Sequence, residues 1–422
     1  MATTTRRDMM KAGAALAATA AATQLLPTAY AAATDTLKLG VIGCGGRGTG
    51  AVEDNFKAGP GTVLWAAGDV FENKAKGLVA NSTRVAKDRV DVGDRVFAGL
   101  DAAQRVIDSG CDVIILASSP GFRPFHLEAI VQKVADSKKK THIFCEKPVA
   151  VDGAGVQKVL KVAEEAKKLG ISIVAGTQRR HQAGYIETVK QIQDGKIGEV
   201  VSARCSWNGG EPWFRARKPG MSDVEYQIHN WYHFLWLCGD HIVEQHVHNL
   251  DVINWVMKGH PTKAIGQGGR LGRKEGEPKD VGNIYDLFAI EYEYPGGVPM
   301  YSFCSHVPGT THDVSETVYG SKGVSKVNAY QINKEKVVGK DPINPYVQEH
   351  IDLMKTIRDG KPVDELTGVA ESTLTAIMGR MAVYSGKPVT WQDALASKST
   401  MPDGLKLDAK LEVAPVPVPG VK

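Results

Sequence analysis

Apolar and polar positions follow two different rhythms along this chain. Residues 37–42 (LKLGVI), 62–68, 112–117 (DVIILA) and 141–145 are short, nearly uninterrupted apolar runs. Such runs predict strands covered on both faces. Between them, 71–87 and 124–136 carry apolar residues at helical spacing, and 151–175 adds one more helix and strand. Strands alternating with helices predict a doubly wound parallel sheet. Past residue 176 the rhythm changes. Residues 185–194 predict a helix stopped by Gly195, and 199–207 (EVVSARCSW) alternate like a half-buried strand. The runs 285–294, 300–306 and 314–319 predict further strands, and 345–359 and 368–385 predict helices. Strands in succession, with helices gathered elsewhere, predict a second α/β domain on a mostly antiparallel open sheet. The expected division is 34–150, 151–400 and a tail 401–422, whose Pro-Val-rich end from Ala414 reads as an extended strap or a disordered end.

Composition narrows the class without changing this picture. With 422 residues, 43% apolar and 23% charged, the chain has enough material for two cores. The formal charge is +4 and the one basic run is Lys138-Lys139-Lys140, so no nucleic-acid partner is expected. Cys44, Cys111, Cys145, Cys205, Cys238 and Cys304 are scattered among apolar neighbours and read as small buried hydrophobes, not as a disulfide framework or a zinc site. At the start, Arg6-Arg7 precedes an Ala-rich stretch (12–26), Pro27 and Ala29-Tyr30-Ala31. This resembles a Tat-type signal peptide, 1–31, and implies the Tat machinery as a partner, a periplasmic or otherwise exported protein, and folding before export. The stretch is too short and too weakly apolar to anchor the protein, so no membrane span is expected in the mature form.

The chemistry begins where the first strand runs into Gly43-Cys44-Gly45-Gly46-Arg47-Gly48, a Gly-x-Gly-x-x-Gly turn. Its glycines suit a tight turn, close approach of a pyrophosphate, and close helix packing. Asp69 ends the second strand about twenty residues on, where an acid accepts the adenosine ribose hydroxyls. No arginine accompanies it in Val70-Phe71, so the pattern predicts NAD, with NADP the alternative. Ser118 follows the carboxyl end of another strand, where ligands collect in such sheets. These features make the first half a Rossmann domain.

The word Glu146-Lys147-Pro148, directly after a buried strand and within a Rossmann half, resembles the Gfo/Idh/MocA oxidoreductase family. The resemblance implies that Lys147 reaches nicotinamide and substrate, that Glu146 belongs to the cofactor site, and that Arg179, Arg180 and His181 line the cleft; Arg179-Arg180 read equally as a solvated helix entrance. Five of the 7 tryptophans fall between 207 and 255. There Trp213, Arg215 and Tyr232 offer the apolar faces and donors that a sugar ring needs, whereas Trp236 and Trp255 read as helix core. Glu244 and His248, four apart, would share a helical face, the carboxylate orienting the imidazole as a general base. The family pattern at this point is Asp-x-x-x-His, so Glu departs from it. His241, His246 and His248 lack firm zinc spacing, and no metal is expected. The resemblance implies an NAD(P)-dependent oxidoreductase acting on a sugar, glycoside or cyclitol hydroxyl with a tightly bound cofactor, and a homo-oligomer built on the open sheet. One alternative is an NAD-dependent glycosidase working through transient oxidation and elimination, and another is a non-catalytic periplasmic binding protein.

Overall fold

The computed structural model describes residues 36–271, 276–337 and 342–420; the signal-like segment lies outside them. Among these residues the first sheet has six parallel strands in the order β3-β2-β1-β4-β5-β6. They are β1 (Leu37–Ile42), β2 (Thr62–Asp69), β3 (Val96–Ala98), β4 (Val113–Leu116), β5 (His142–Cys145) and β6 (Ile173–Ala175). Helices α1 (Gly46–Ala58), α2 (Glu72–Val85), α3 (Ala102–Asp108), α4 (Arg123–Ser137) and α5 (Gly153–Leu169) cover its faces. Burial on both faces explains the unbroken apolar runs: Val113, Ile114, Ile115 and Leu116 of β4 are all buried.

The expected boundary at 150 falls one helix and one strand too early. Strand β6 pairs in parallel with β5, Ile143 opposite Ile173, so the Rossmann sheet ends near residue 175. Without β6, the edge of β5 would be left unpaired. The division by sequence also fails farther on. After α6 (Ala183–Gln193) and α7 (Val247–Met257), helix α8 (Pro345–Arg358) returns to the first domain, where Leu353 joins a core with Leu39 and Val41.

Among the described residues the second sheet has nine strands, with β7 (Val200–Asn208) parallel to β10 (Val298–Ser305) and its other pairings antiparallel. Helix α9 (Leu366–Ser385) lies on one face, where Val383 packs close to Gly266 and Gly268 of β8 (Lys263–Gly269). Along β10, Met300, Ser302 and Cys304 are buried while Tyr301 and Phe303 are exposed, the period-2 signature of a sheet with one open face. All six cysteines are buried and unpaired. Among the described residues, no helix is long and apolar enough to cross a membrane.

The tail is a strap. Thr400 donates through its N–H and Oγ1 to Asp152 Oδ2, and Leu405, Leu407, Leu411 and Val413 lie on an apolar cluster with Tyr226 and Trp236. Farther along, Tyr285 donates to the Pro417 carbonyl.

Candidate active site

The glycine turn is shaped by close approaches. Gly43 has φ +93°, and a Cβ there would lie 2.4 Å from the Ser118 nitrogen. A Cβ on Gly48 would stand 2.0 Å from the Gly43 carbonyl oxygen, so α1 packs against the turn only because residue 48 has no side chain. Gly45 and Gly46 face open space, with nothing within 4 Å of a Cβ at either position. No side chain caps the start of α1. Its first N–H groups are therefore available to an anion, and the turn fits a dinucleotide pyrophosphate. Gly43, Gly45, Asp69 and Ser118 line one groove, together with Lys74. Asp69 is held across the groove by main-chain N–H groups, Cys44 at 2.7 Å and Phe71 at 2.9 Å. Ser118 Oγ lies 3.1 Å from His126 Nδ1; burial, then the Arg123 charge, lowers that imidazole to about 4.

Arg47 and Glu146, expected on the cofactor, meet each other: Arg47 Nε lies 2.7 Å from Glu146 Oε1, with Asp54 on the other side of the guanidinium. The buried carboxylate needs a cation, and the pair clamps α1 to the end of β5.

Lys147 projects from that strand end into the second domain. Its Nζ donates to the Glu244 carbonyl at 2.5 Å and to Glu244 Oε2 at 3.1 Å. This corrects the expected Glu244–His248 contact. A buried ammonium attracts the carboxylate more strongly than a neutral imidazole does, and residues 242–246 form a π-helical turn, not an α-helical one. Burial raises the Glu244 pKa against the opposing pull of Lys147. His248, at the start of α7, stacks on Trp207 with ring centroids 5.8 Å apart, and no hydrogen bond joins it to another described residue. Burial, reinforced by the Lys147 and Arg179 charges, pushes its pKa well below the ordinary value, so the ring is neutral.

The three residues after β6 divide. Arg179 is buried near Trp207, 5.9 Å from the ring, and its Nη1 donates to Glu316 Oε1 at 2.8 Å. Glu316 also accepts from Asn249 Nδ2 and the Tyr185 hydroxyl. Arg180 makes a bidentate pair with Asp251, tying the loop to α7. His181 lies between Asp352 (2.6 Å) and Glu365 (3.3 Å). Burial disfavours its charged form, but the two carboxylates overcome this and raise its pKa to about 10. A raised folded-state pKa stabilises fully below the unfolded value and loses its contribution as pH rises through the folded one. The urea midpoint should therefore fall between about pH 6.5 and pH 10, and less steeply in His181→Asn. Equal slopes in the two proteins would refute this charge assignment.

Among the described residues no contact joins Trp213 or Arg215 to Lys147, and neither lines the groove itself. Arg215 stacks 4.0 Å over Trp213, and Trp213 meets Trp231, which lines the groove with Ile228. Tyr232 is buried, its hydroxyl 2.8 Å from His306 Nε2. Sequence reasoning placed Trp207 in the tryptophan-rich stretch without giving it a role of its own, and missed Lys74 and Glu316. Lys74 follows Asp69 by little more than a helical turn and was detectable by that spacing, whereas Glu316 had no local signal.

A parallel sheet with an open glycine turn, and a lysine and a neutral histidine placed beyond it, is the architecture of a two-domain nicotinamide-dependent oxidoreductase. The chain belongs to the Gfo/Idh/MocA family: residues 37–173 match its oxidoreductase, NAD-binding Rossmann-fold model, and 185–326 match its C-terminal domain. It is 23% identical to Myo-inositol 2-dehydrogenase of Thermotoga maritima, over 77% of this chain and 90% of that one. It is 24% identical to 2,7-anhydro-N-acetylneuraminate hydratase of Escherichia coli, over 60% of this chain and 62% of the relative. The fold matches an aldose-aldose oxidoreductase from Caulobacter crescentus with a TM-score of 0.63 at 16% identity, covering 84% of this chain and 99% of that one.

Proposed function

We propose that the protein transfers a hydride between a ring CH–OH of a sugar, glycoside or cyclitol and a tightly held nicotinamide nucleotide. The observation that carries this is Lys147 paired with Glu244 near a neutral, unpartnered His248. The named substrates of the inositol and aldose relatives support the substrate class. Bound nucleotide supplies the hydride acceptor. An ammonium has three N–H donors, and Lys147 gives two to Glu244, leaving one for the reacting oxygen. His248 takes the hydroxyl proton on a free ring nitrogen, and Trp207 offers an apolar face to the ring.

The test follows reduced nicotinamide as purified protein meets a panel of cyclitols and aldoses. His248→Ala should lose at least tenfold in turnover while still binding nucleotide; unchanged turnover would refute the base. Because His248 is held neutral, kcat/KM should show no loss as pH falls through 6.5, the ordinary imidazole value. A drop there that vanished in His248→Gln would overturn the charge state.

The hydratase relative favours a second reading, redox-neutral cleavage through transient oxidation and elimination. It would release aglycone from a chromogenic glycoside without accumulating reduced nucleotide. Exposed Tyr301, Phe303, Tyr319 and Val324 on the open sheet face support a homo-oligomer, and the twin-arginine segment supports export.

A further inference from the structure

We propose that the substrate carries a carboxylate near the reacting hydroxyl, held by the free edge of Arg179, so that the protein acts on sugar acids in preference to neutral sugars. This rests on the hydride transfer proposed above. Three basic residues follow β6, and two are spent within the protein: Arg180 on Asp251, and His181 on Asp352 and Glu365. Arg179 is different. Its Nη1 donates to Glu316, and that is its one hydrogen bond to a described residue. Nε and Nη2, an edge of the guanidinium that can meet a carboxylate with two parallel bonds, stay unspent. Neither nitrogen is sealed from solvent, although the residue as a whole is only 9% exposed.

The guanidinium is fixed in place. Glu316, on strand β11 (Asp313–Gly320), is fully buried and also accepts from Asn249 Nδ2 at 2.7 Å and from the Tyr185 hydroxyl at 3.2 Å. Asn249 directly follows His248, so the same carboxylate ties Arg179 to the helix that carries the base. The Tyr185 and Trp207 rings lie 5.7 and 5.9 Å from the guanidinium carbon, and Trp207 stacks on His248. Glu316 balances the charge of Arg179 but occupies only one of its nitrogens. Leaving the other donors of a nearly buried guanidinium unmet is unfavourable unless a ligand accepts them. A carboxylate accepts from both nitrogens, with charge assistance that a neutral hydroxyl lacks. The charges felt at His248 point the same way: after burial, Lys147 and Arg179 push its pKa down. A carboxylate arriving beside Arg179 opposes that push. The imidazole then takes the hydroxyl proton more readily from an acid substrate than from a neutral one.

The experiment uses the full chain supplied with NAD. Glucuronate, galacturonate and their parent aldoses, free and as nitrophenyl glycosides, are compared with myo-inositol by following reduced nicotinamide and released nitrophenol. In at least one pair the acid should exceed its parent tenfold or more in kcat/KM. That preference should fall at least tenfold in Arg179→Gln. It should fall as far in Arg179→Lys, which keeps a cation for Glu316 but has no planar fork, and which decides the matter if melting curves show the glutamine variant unfolded. A smaller preference in every pair, or one that survives in the folded variants, would overturn the inference and leave the proposed function standing. No turnover of any acid, aldose, glycoside or cyclitol would overturn both.

Discussion

Lys147→Ala is expected to lower turnover by about a hundredfold or more, the range seen when one preorganised donor to a reacting oxygen is removed. The same change strands Glu244, which is 7% exposed and takes its hydrogen bond from Lys147. An uncompensated buried charge costs about 3–5 kcal/mol, relieved where the carboxyl binds a proton. Lys147→Ala should therefore melt earlier, and the loss should shrink as pH falls, because the raised pKa of Glu244 lets it neutralise readily. The two effects separate in the double variant Lys147→Met with Glu244→Gln, where a neutral amide replaces the stranded acid. It should recover most of the melting temperature and none of the turnover. Recovery of turnover would mean that Lys147 merely neutralises Glu244 and never donates to the substrate.

Removing residues 401–422, and with them the strap, which the structure describes to residue 420, is expected to speed nucleotide release at least tenfold. The short helix Asp223–His229 presents Ile228 to the groove, and the strap holds that helix from outside. Ser222 Oγ donates to the Leu407 carbonyl at 2.5 Å and Gln227 Nε2 to the Leu411 carbonyl at 2.8 Å, while Leu411 N–H reaches Asp223 Oδ2 at 3.3 Å. At about 1 kcal/mol each, these three ties hold the cover by ~3 kcal/mol before the leucines are counted. That is enough for about a hundredfold in opening if each is lost only when the cover lifts. Chasing bound reduced nucleotide with excess unlabelled NAD gives the rate directly. Gln227→Ala keeps the chain whole and cuts one tie, so it should show a smaller increase. Equal release from the full and shortened chains would show that the strap does not secure the cover.

The parallel sheet was legible because its evidence is local. A strand buried on both faces must be apolar throughout, and Val113 to Leu116 obey that whatever else the chain does. The glycine turn was legible for the same reason, since Gly43 and Gly48 answer to contacts within one turn and its neighbouring strand. Candidate residues Lys147 and His248 were legible through a family word and a helical spacing, but their partners were not. The spacing of Glu244 and His248 assumes an α-helix, whereas the chain forms a π-helical turn there and an ammonium from another domain competes for the carboxylate.

By itself, then, the amino-acid order determined the two rhythms, the Rossmann half, the nucleotide turn and the residues able to do chemistry. Tertiary structure alone decided which charges meet. Lys147 reaches Glu244 across 97 positions and Arg179 reaches Glu316 across 137, while helix α8 completes a core begun by β1. The reason is physical: periodicity and turn chemistry act over a few residues, whereas a buried charge is settled by whichever opposite charge the whole fold brings within a few ångströms.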